Sequence, residues 1–309
     1  MEPSLAIKVA GLSKTFRVKK GQVLSALKNI SFDIKQGEFV ALLGPNGAGK
    51  STLIKILIGV LAYDHGEVSV LGQEPLENRE QIVSRLGIVF GQRSRLWYDL
   101  PVRDSFDLTS RLYGNKNLEW EKYLINGVDI RKLLDRQVKK LSLGEKMRCE
   151  LVNTLLYNPD LIFLDEPTIG LDVVSKQKIR EFLHVLHKQG KTILLTSHDT
   201  GDIDKLCQRV IVINNGEMVV DLAMNKFMAL DTKSVLILKL NKKPNPKYKT
   251  KFSKFKLEFS EISEYELRIE CLKTDFKKVL VKALDVFDIQ DIDFESGGVE
   301  KILIELYGK

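Results

Sequence analysis

A glycine-rich stretch at residues 44–52 constrains the fold of this chain more than any other segment. Its residues in order are Gly44, Pro45, Asn46, Gly47, Ala48, Gly49, Lys50, Ser51 and Thr52. An apolar run at 39–43 precedes it and another at 53–58 follows it, which predicts a strand, a tight turn and a helix. In such a turn, several backbone N–H groups and the positive end of the helix point at one anion. The spacing G-x-x-x-x-G-K-S therefore predicts a phosphate-binding loop.

Two side chains of this stretch complete a nucleotide site. Lys50 can reach the β- and γ-phosphates of a nucleoside triphosphate, and the Ser51 hydroxyl can hold Mg²⁺. A chance glycine-rich turn is the alternative interpretation. Because the residue types, their spacing and both flanking elements fit the phosphate-binding loop, we predict binding of a nucleoside triphosphate with Mg²⁺.

The totals of the chain limit the class of protein. Its 309 residues suggest two domains, or one large domain with an appendage. The apolar runs are shorter than the ~18 residues that a membrane helix needs, and the first residues do not form a signal-peptide pattern. We therefore expect a cytosolic protein that does not span a membrane. The net charge of +7 is modest for this length and favours a solvated basic face over binding to nucleic acid or an anionic membrane.

The segment before the loop, residues 1–43, is rich in predicted strands. Short strands at 8–12, 22–27 and 30–34 alternate with turn residues, which predicts an antiparallel β subdomain. Phe16 lies in the first turn region of this segment. An exposed ring there could stack on an adenine ring, although a core phenylalanine is the commoner interpretation of a single aromatic residue.

The strand predicted at 161–164 ends in two acids. All four of its residues are apolar, so we expect a parallel strand that is covered on both faces. Asp165 and Glu166 follow directly, and two acids at the end of a buried strand are costly unless they have a function. Asp165 can bind Mg²⁺, and Glu166 can accept a proton from an attacking water or orient it.

Polar residues also follow two other predicted strands. The strand at 86–90 leads to Gln92, and the strand at 191–197 leads to His198. Parallel sheets place ligand contacts at the carboxyl ends of their strands. Gln92 is therefore a candidate contact to Mg²⁺ or water, and His198 is a candidate sensor of the γ-phosphate.

Residues 93–150 are predicted to form a helical insertion between two halves of the sheet. Near its end, Ser142 precedes a helix predicted at 146–156 and is well placed as the N-cap of that helix. Taken alone, this pattern is an ordinary capping sequence.

In their order along the chain, these elements resemble the ATP-binding cassette (ABC) ATPases. The phosphate-binding loop is followed by Gln92, by Leu-Ser-x-Gly-Glu at 141–145, by Leu-Asp-Glu-Pro at 164–167 and by His198. The resemblance covers roughly residues 5–222. Within the family, the chain is most similar to the cytosolic subunits of bacterial multi-component exporters. The resemblance implies an α/β fold, in which a P-loop NTPase core carries an antiparallel β subdomain and a helical insertion.

The resemblance also implies roles for the matching positions. Residues 44–52 match the Walker A loop, Asp165 ends the Walker B strand, and Glu166 matches the catalytic glutamate. Gln92 matches the Q-loop glutamine, and His198 matches the switch histidine.

Three further features match with some departures. Asp172 matches the D-loop aspartate, and Phe16 matches the A-loop aromatic residue, which is usually tyrosine. The signature sequence is usually Leu-Ser-Gly-Gly-Gln, and here it is matched by Leu141, Ser142, Leu143, Gly144 and Glu145. Ser142 and Gly144 keep the positions that contact phosphate in the family.

In this family two cassettes face each other head to tail, and each ATP lies between the Walker A loop of one and the signature sequence of the other. The resemblance therefore implies ATP and Mg²⁺ as cofactors and a second cassette subunit, expected to be a second copy of this chain, as a partner. A separate transmembrane permease would dock near residues 92–115. The chain would then be cytoplasmic and peripheral at the inner face of the cell membrane, with no nucleic-acid partner.

Two other functions are open to a chain with these motifs. A soluble ABC ATPase could act on ribosomes, on DNA or in cofactor assembly. Translation-type members usually carry two cassettes in one chain, and the ~90 residues between Gly49 and Leu141 are too few for the long coiled coil of repair-type members. A module that binds ATP without hydrolysis is disfavoured by Glu166 and His198.

Residues 230–309 lie outside the resemblance and predict a small C-terminal α+β domain after a nucleotide-binding domain at 1–225. Residues 239–256 hold eight lysines and no acid, which favours a solvated basic loop over a contact with anionic lipid. Alternating apolar residues predict a half-buried strand at 265–271. Because this segment has no catalytic constellation, we expect a role in dimer contacts or regulation.

Overall fold

The computed structural model describes residues 4–17, 23–91, 94–114, 117–295 and 298–308. The chain separates into two compact units, Met1–Met224 and Asn225–Lys309.

Unit 1 contains nine strands and seven α-helices within the described residues. They are β1 (Leu5–Arg17), β2 (Val23–Lys35), β3 (Phe39–Leu43), α1 (Lys50–Leu57), β4 (His65–Val70), α2 (Arg79–Val83), β5 (Leu86–Phe90), α3 (Val102–Leu112), α4 (Leu118–Gly127), α5 (Leu143–Leu155), β6 (Leu161–Asp165), α6 (Val173–Lys188), β7 (Thr192–Thr196), α7 (Thr200–Leu206), β8 (Arg209–Asn214) and β9 (Glu217–Ala223).

The larger sheet of unit 1 has six strands in the order β5-β6-β7-β3-β8-β9. The first five are parallel, and β9 pairs antiparallel with β8 at the edge. β3, β6 and β7 are buried almost throughout, as their apolar sequences predict for strands covered on both faces. The register brings Asp165 opposite both Phe90 and Thr196, so the carboxyl ends of β5, β6 and β7 meet at one edge.

The smaller sheet is antiparallel, with the order β2-β1-β4. This confirms the predicted antiparallel subdomain but corrects its strands. The segments expected at 22–27 and 30–34 are one continuous strand from Val23, and Gln22 lies outside the described residues. Asn29 has a φ of 52°, and the pairing with β1 shifts register near it, so a bulge interrupts the alternation without ending the strand.

One hydrophobic core joins the two sheets through α1. This helix buries Leu53, Ile54, Ile56 and Leu57 among side chains of both sheets. Each of these side chains contributes roughly 1.5–3 kcal/mol on burial. The core therefore fixes the helix whose first residue is Lys50, and with it the preceding loop.

Between β5 and β6, which are neighbours in the sheet, the chain runs through α3, α4 and α5. Two short 3₁₀ turns, Arg131–Leu133 and Val138–Lys140, lead into α5. Tyr113 stacks on Tyr157 with ring centroids 3.8 Å apart, which ties the end of α3 to the chain after α5.

The remaining elements lie mainly in unit 2, and α8 begins at the unit boundary. They are α8 (Met224–Met228), β10 (Lys233–Leu240), β11 (Glu258–Ser263), β12 (Glu266–Leu272), α9 (Phe276–Val286), β13 (Ile289–Glu295) and α10 (Gly298–Tyr307). The strands form an antiparallel sheet in the order β11-β12-β10-β13. Leu236, Leu238, Leu267 and Ile269 of this sheet share a core with Val279 of α9.

The lysine-rich segment of unit 2 differs from the solvated loop that its sequence predicts. It forms a 3₁₀ helix, Pro246–Phe252, and its aromatic residues Tyr248 and Phe252 are buried in the unit 2 core. The lysines of the same helix, Lys247, Lys249 and Lys251, are exposed. The segment is therefore basic on one side and part of the core on the other.

Within the described ranges, no helix is long and apolar enough to cross a lipid bilayer.

Candidate nucleotide-binding site

The loop predicted to bind phosphate connects β3 to α1, so the expected strand, turn and helix are all present. Gly49 stands before the helix in the left-handed region, with a φ of 109°. A Cβ at Gly49 would lie 2.5 Å from the carbonyl oxygen of Ala26 in β2. Only glycine fits both the backbone conformation and this close approach.

Lys50 is held at the centre of the loop. Its Nζ donates to the carbonyl oxygens of Gly44 at 2.5 Å and Pro45 at 3.1 Å. Burial lowers the pKa of Lys50, against the opposing influence of the Glu166 and Asp165 carboxylates. A half-buried cation at the centre of the loop is suited to bind an anion, and a metal ion would offset the repulsion of that anion by the two carboxylates.

A cleft of about 410 Å³ gathers most of the predicted site residues. Its lining consists of Phe16, Leu24, Ser25, Ala26, Asn46, Gly47, Ala48, Gly49, Lys50, Ser51, Thr52, Asp165, Glu166 and His198. These residues come from the loop, from the antiparallel sheet and from the ends of β6 and β7. The cleft is therefore a composite of segments far apart in sequence.

Phe16 forms part of the cleft wall and is half-buried, so it is not a core phenylalanine. It pairs with Leu24 across β1 and β2, and Lys14 Nζ lies 5.5 Å from its ring centroid. Asp64 fixes this strand end, because its carboxylate accepts hydrogen bonds from Lys14 Nζ and from the N–H and hydroxyl of Thr15 at 2.7–2.8 Å. Sequence reasoning missed Asp64, which stands 49 residues from Thr15.

The donor groups beside the loop suit a hard cation. Ser51 and Asp165 both line the cleft, and Asp165 Oδ1 accepts the Thr196 hydroxyl at 2.5 Å. No group of three or more His, Cys, Asp or Glu side chains that could hold a metal occurs in the part of the chain that the structure describes. One hydroxyl and one carboxylate fit Mg²⁺, which takes few protein ligands and completes its shell with phosphate and water oxygens.

Glu166 and His198 are in direct contact. Glu166 Oε2 accepts the backbone N–H of His198 at 3.2 Å, and Oε1 lies 3.5 Å from Nε2 of the same histidine. Glu166 itself has a φ of 54°, a strained backbone for a residue with a side chain. This conformation turns the carboxylate toward the end of the neighbouring strand β7.

Gln92 lies outside the described residues. The chain before it reaches the cleft edge, since the N–H of Gly91 donates to the Asp165 carbonyl at 2.7 Å.

The signature residues do not line this cleft. Ser142 is the N-cap of α5, as predicted, and the residues that follow it, Leu143, Gly144 and Glu145, form the first turn. The N–H groups of a first turn lack partners within the helix, so those of Leu143 and Gly144 can serve an external anion. Leu143 is half exposed beside them.

Asp172 lies against the signature turn. It is the N-cap of α6, and its carboxylate accepts the N–H of Ser175 at 2.9 Å and the Ser175 hydroxyl at 2.7 Å. A Cβ at Gly144 would lie 2.4 Å from that hydroxyl oxygen, so the two helix starts pack too closely for any other residue at 144.

Glu150 is a buried acid that sequence reasoning missed. It lies on α5, 2% exposed, and accepts the Ser94 hydroxyl at 2.8 Å and the N–H groups of Arg95 at 3.0 Å and Leu96 at 3.4 Å. Glu150 stands between Cys149 and Leu151, but other polar residues lie close to it on the same helix, so no local pattern marks it.

Known proteins share both the sequence and the fold of unit 1. A family model described as ABC transporter matches residues 27–169. The ABC transporter ATP-binding protein NatA of Bacillus subtilis (strain 168) is 32% identical over 216 residues, which cover 69% of this chain and 87% of that protein. A fluoroquinolones export ATP-binding protein of Mycobacterium tuberculosis (strain ATCC 25618 / H37Rv) is 36% identical over 213 residues, 69% of each chain.

Two solved structures superpose on most of unit 1. An ATP-binding subunit of an ABC transporter has a TM-score of 0.65 at 25% identity and covers 73% of this chain and 92% of its own. A dimeric ATP-binding cassette in a post-hydrolysis state, bound to ADP and Pi, has a TM-score of 0.63 at 26% identity and covers 70% and 98%.

Proposed function

We propose a function from one premise: the chain belongs to the ABC transporter family of ATP-binding proteins. It is an ATPase subunit whose ATP hydrolysis drives a membrane transporter, and we assign it to export. One observation carries the ATPase function, namely that a single cleft joins the phosphate-binding loop to Asp165, Glu166 and His198. The relative from Mycobacterium tuberculosis carries export in its name, which supports the direction.

The residues of the cleft divide the chemistry among them. Phe16 stacks on the adenine ring, while the loop N–H groups and Lys50 bind the phosphates. Ser51 and Asp165 would hold Mg²⁺, together with Gln92, and the ion neutralises charge on the phosphate oxygens. Glu166 orients the attacking water and accepts its proton. His198, in contact with Glu166, binds the γ-phosphate in this proposal.

A second copy of the chain completes each site in this proposal. The signature turn offers N–H groups to an anion but does not line its own cleft, so the partner's ATP would fill it. Apolar side chains surround it and are exposed, namely Leu143, Ile169, Val173 and Val174. Val173 is 81% exposed beside the N-cap Asp172, and an exposed apolar patch of this kind is typical of a protein–protein contact.

The permease docks beside Gly91, near residues 92–115. Trp97 and Tyr98 in this segment are more than half exposed and are the kind of side chain that anchors protein interfaces. Glu150 fastens the start of the segment to α5, the helix that carries the signature turn. A displacement of the docking segment by the permease would therefore move α5 and, with it, the signature turn that contacts the partner's ATP.

The two compact units support the assignment of a separate function to each of two domains. We assign ATP chemistry to a nucleotide-binding domain at 1–225, with its helical insertion at 93–150. The C-terminal domain at 230–309 serves dimer contacts or regulation. Deletion of residues 231–309 tests this, because unchanged dimerisation and ATPase activity would contradict it.

The function is tested with purified full-length chain. Wild-type protein should hydrolyse ATP with Mg²⁺, and Glu166→Gln should lower kcat by about 10²–10⁴-fold, as expected for loss of a general base. The same variant should form a dimer with ATP in sedimentation velocity. Glu67→Gln, an exposed acid on β4, is the matched control. A wild-type chain without ATPase activity, or a Glu166→Gln variant that stays monomeric with ATP and its permease, would refute the proposal.

A further inference from the structure

Asp202 is a buried carboxylate that joins the segments carrying Glu166 and His198. Its side chain lies on α7 and is 1% exposed. Oδ2 accepts the hydroxyl of Thr168 and, at 3.3 Å, the hydroxyl of Ser197. Thr168 stands two residues after Glu166, and Ser197 stands directly before His198. One carboxylate oxygen therefore ties the loop after β6 to the loop after β7.

Arg180 holds this carboxylate from α6. Its Nε donates to Asp202 Oδ1 at 2.5 Å, and its Nη2 donates to Asp199 Oδ1 at 3.2 Å. Lys176, one turn earlier, donates to Asp199 Oδ2 at 2.5 Å. Asp199 follows His198 directly, so the histidine is flanked by two residues of the same network.

The Asp202–Arg180 pair has hydrogen-bond partners that stability alone does not explain. A buried ion pair recovers little beyond its own desolvation cost, and apolar residues could fill the same space. The Asp202 carboxylate instead accepts hydrogen bonds from Thr168 and Ser197, which are both buried. Ser197 directly precedes His198 of the cleft, and Thr168 stands two positions after Glu166 of the cleft. Catalysis is sensitive to such placement, because a shift of 1 Å in a reacting group can cost about 10²-fold in rate.

We propose that Asp202, held by Arg180, is a positioning residue that sets the separation of Glu166 and His198. The inference rests on the proposed ATPase function of the cleft and deepens it. Asp202 and Arg180 do not line the cleft and act only through Thr168, Ser197 and Asp199. Their loss should therefore change kcat and leave the binding of ATP nearly unchanged.

Two variant pairs test this. Thr168→Val removes the hydroxyl at nearly constant shape, and Thr168→Ser keeps it. Asp202→Asn removes the charge, and Asp204→Asn changes an exposed acid on the same helix. We expect Thr168→Val and Asp202→Asn to lower kcat by about 10–100-fold, with KM and the Kd of a fluorescent ATP analogue within about 2-fold of wild type. Thr168→Ser and Asp204→Asn should keep wild-type kcat.

A double-mutant cycle separates positioning from general stability. If Asp202 acts through His198, Thr168→Val should cost little further rate in a His198→Ala background, measured by single-turnover release of labelled phosphate. Variants that melt earlier but turn over at wild-type kcat while folded would overturn the inference. An equal loss in both backgrounds would also overturn it. If Asp202→Asn does not fold, the Thr168 pair decides. A wild-type chain without ATPase activity is a different result and refutes the proposed function itself.

Discussion

The Ser142 hydroxyl accepts the N–H of Glu145 at 3.2 Å, and the Glu145 carboxylate accepts the N–H of Ser142 at 2.8 Å. The two residues thus form a reciprocal capping box at the start of α5. Arg136 lies 2.8 Å from the second carboxylate oxygen. Burial favours a raised pKa for Glu145, but the Ser142 N–H and the Arg136 cation outweigh it and hold the pKa below its ordinary value. A negative charge therefore stands where we place the partner's ATP.

Removing this charge should strengthen ATP-dependent dimerisation. Glu145→Gln keeps an oxygen for the Ser142 N–H but removes repulsion of the γ-phosphate, whereas Arg136→Gln leaves the charge uncompensated. A charge at a helix terminus is worth about 0.3–1 kcal/mol. The dimer dissociation constant should thus change about 2- to 5-fold, falling for Glu145→Gln and rising for Arg136→Gln. Sedimentation in a Glu166→Gln background with ATP measures both.

Arg131→Gln is the control for this pair, since Arg131 is exposed and bonds to Asn126 instead. Shifts of the dimer dissociation constant in the same direction for Glu145→Gln and Arg136→Gln, or shifts that do not weaken with added salt, would contradict the electrostatic explanation.

Two of the three glycines of the loop, Gly47 and Gly49, should differ in their tolerance of alanine. Gly47 has a φ of 83°, and a Cβ added there would have no atom within 4 Å, so Gly47→Ala costs only the left-handed backbone, about 1–2 kcal/mol. Gly49→Ala adds the clash with the Ala26 carbonyl oxygen. We expect the larger loss of unfolding free energy and of ATP-analogue binding for Gly49→Ala. Equal losses of the two variants in urea unfolding and fluorescence titration would show that the close approach to β2 is unimportant.

Local sequence pattern predicted the elements that depend on neighbours in the chain. The strand, loop and helix at 39–57 follow from two apolar runs around glycines, and the cap at Ser142 follows from residue type and position. The end of β6 at Asp165 follows from an apolar run that stops at two acids. These features need no knowledge of distant contacts.

Contacts between distant residues could not be predicted in this way. Asp64 meets Lys14 across 50 residues, and Asp202 meets Thr168 across 34, without any local pattern to pair them. The burial of Tyr248 depends on a sheet formed elsewhere in unit 2, so its lysine-rich surroundings were misleading. The continuity of β2 was hidden by a bulge at Asn29.

Asp64 should make the stability of unit 1 depend on pH in acid. Hydrogen bonds from Lys14 and Thr15 lower the pKa of Asp64 from an ordinary value near 3.8 to about 2. A depressed pKa in the folded state contributes stability above the unfolded pKa, and that contribution is lost as pH falls from about 4 toward 2. Asp64→Asn should thus lower the urea midpoint at pH 7, and the gap to wild type should shrink between about pH 4 and pH 2.5. A gap that stays constant over this range would assign the effect to packing.

Glu150 should hold the segment that leads to the proposed docking surface. Glu150→Ala leaves the part-buried N–H of Arg95 without its acceptor, at about 1–3 kcal/mol, while the N–H of Leu96 keeps its hydrogen bond to the Ser94 hydroxyl at 3.1 Å. Ser94→Ala removes one donor to Glu150 and one of the two acceptors of the Leu96 N–H, so Glu150 keeps both backbone N–H donors and the change should cost only about 1 kcal/mol. Urea unfolding measures these losses, and hydrogen exchange should quicken at 94–100 in Glu150→Ala. Exchange there at the rate seen in Glu181→Gln, an exposed control on α6, would show that Glu150 does not fasten this segment.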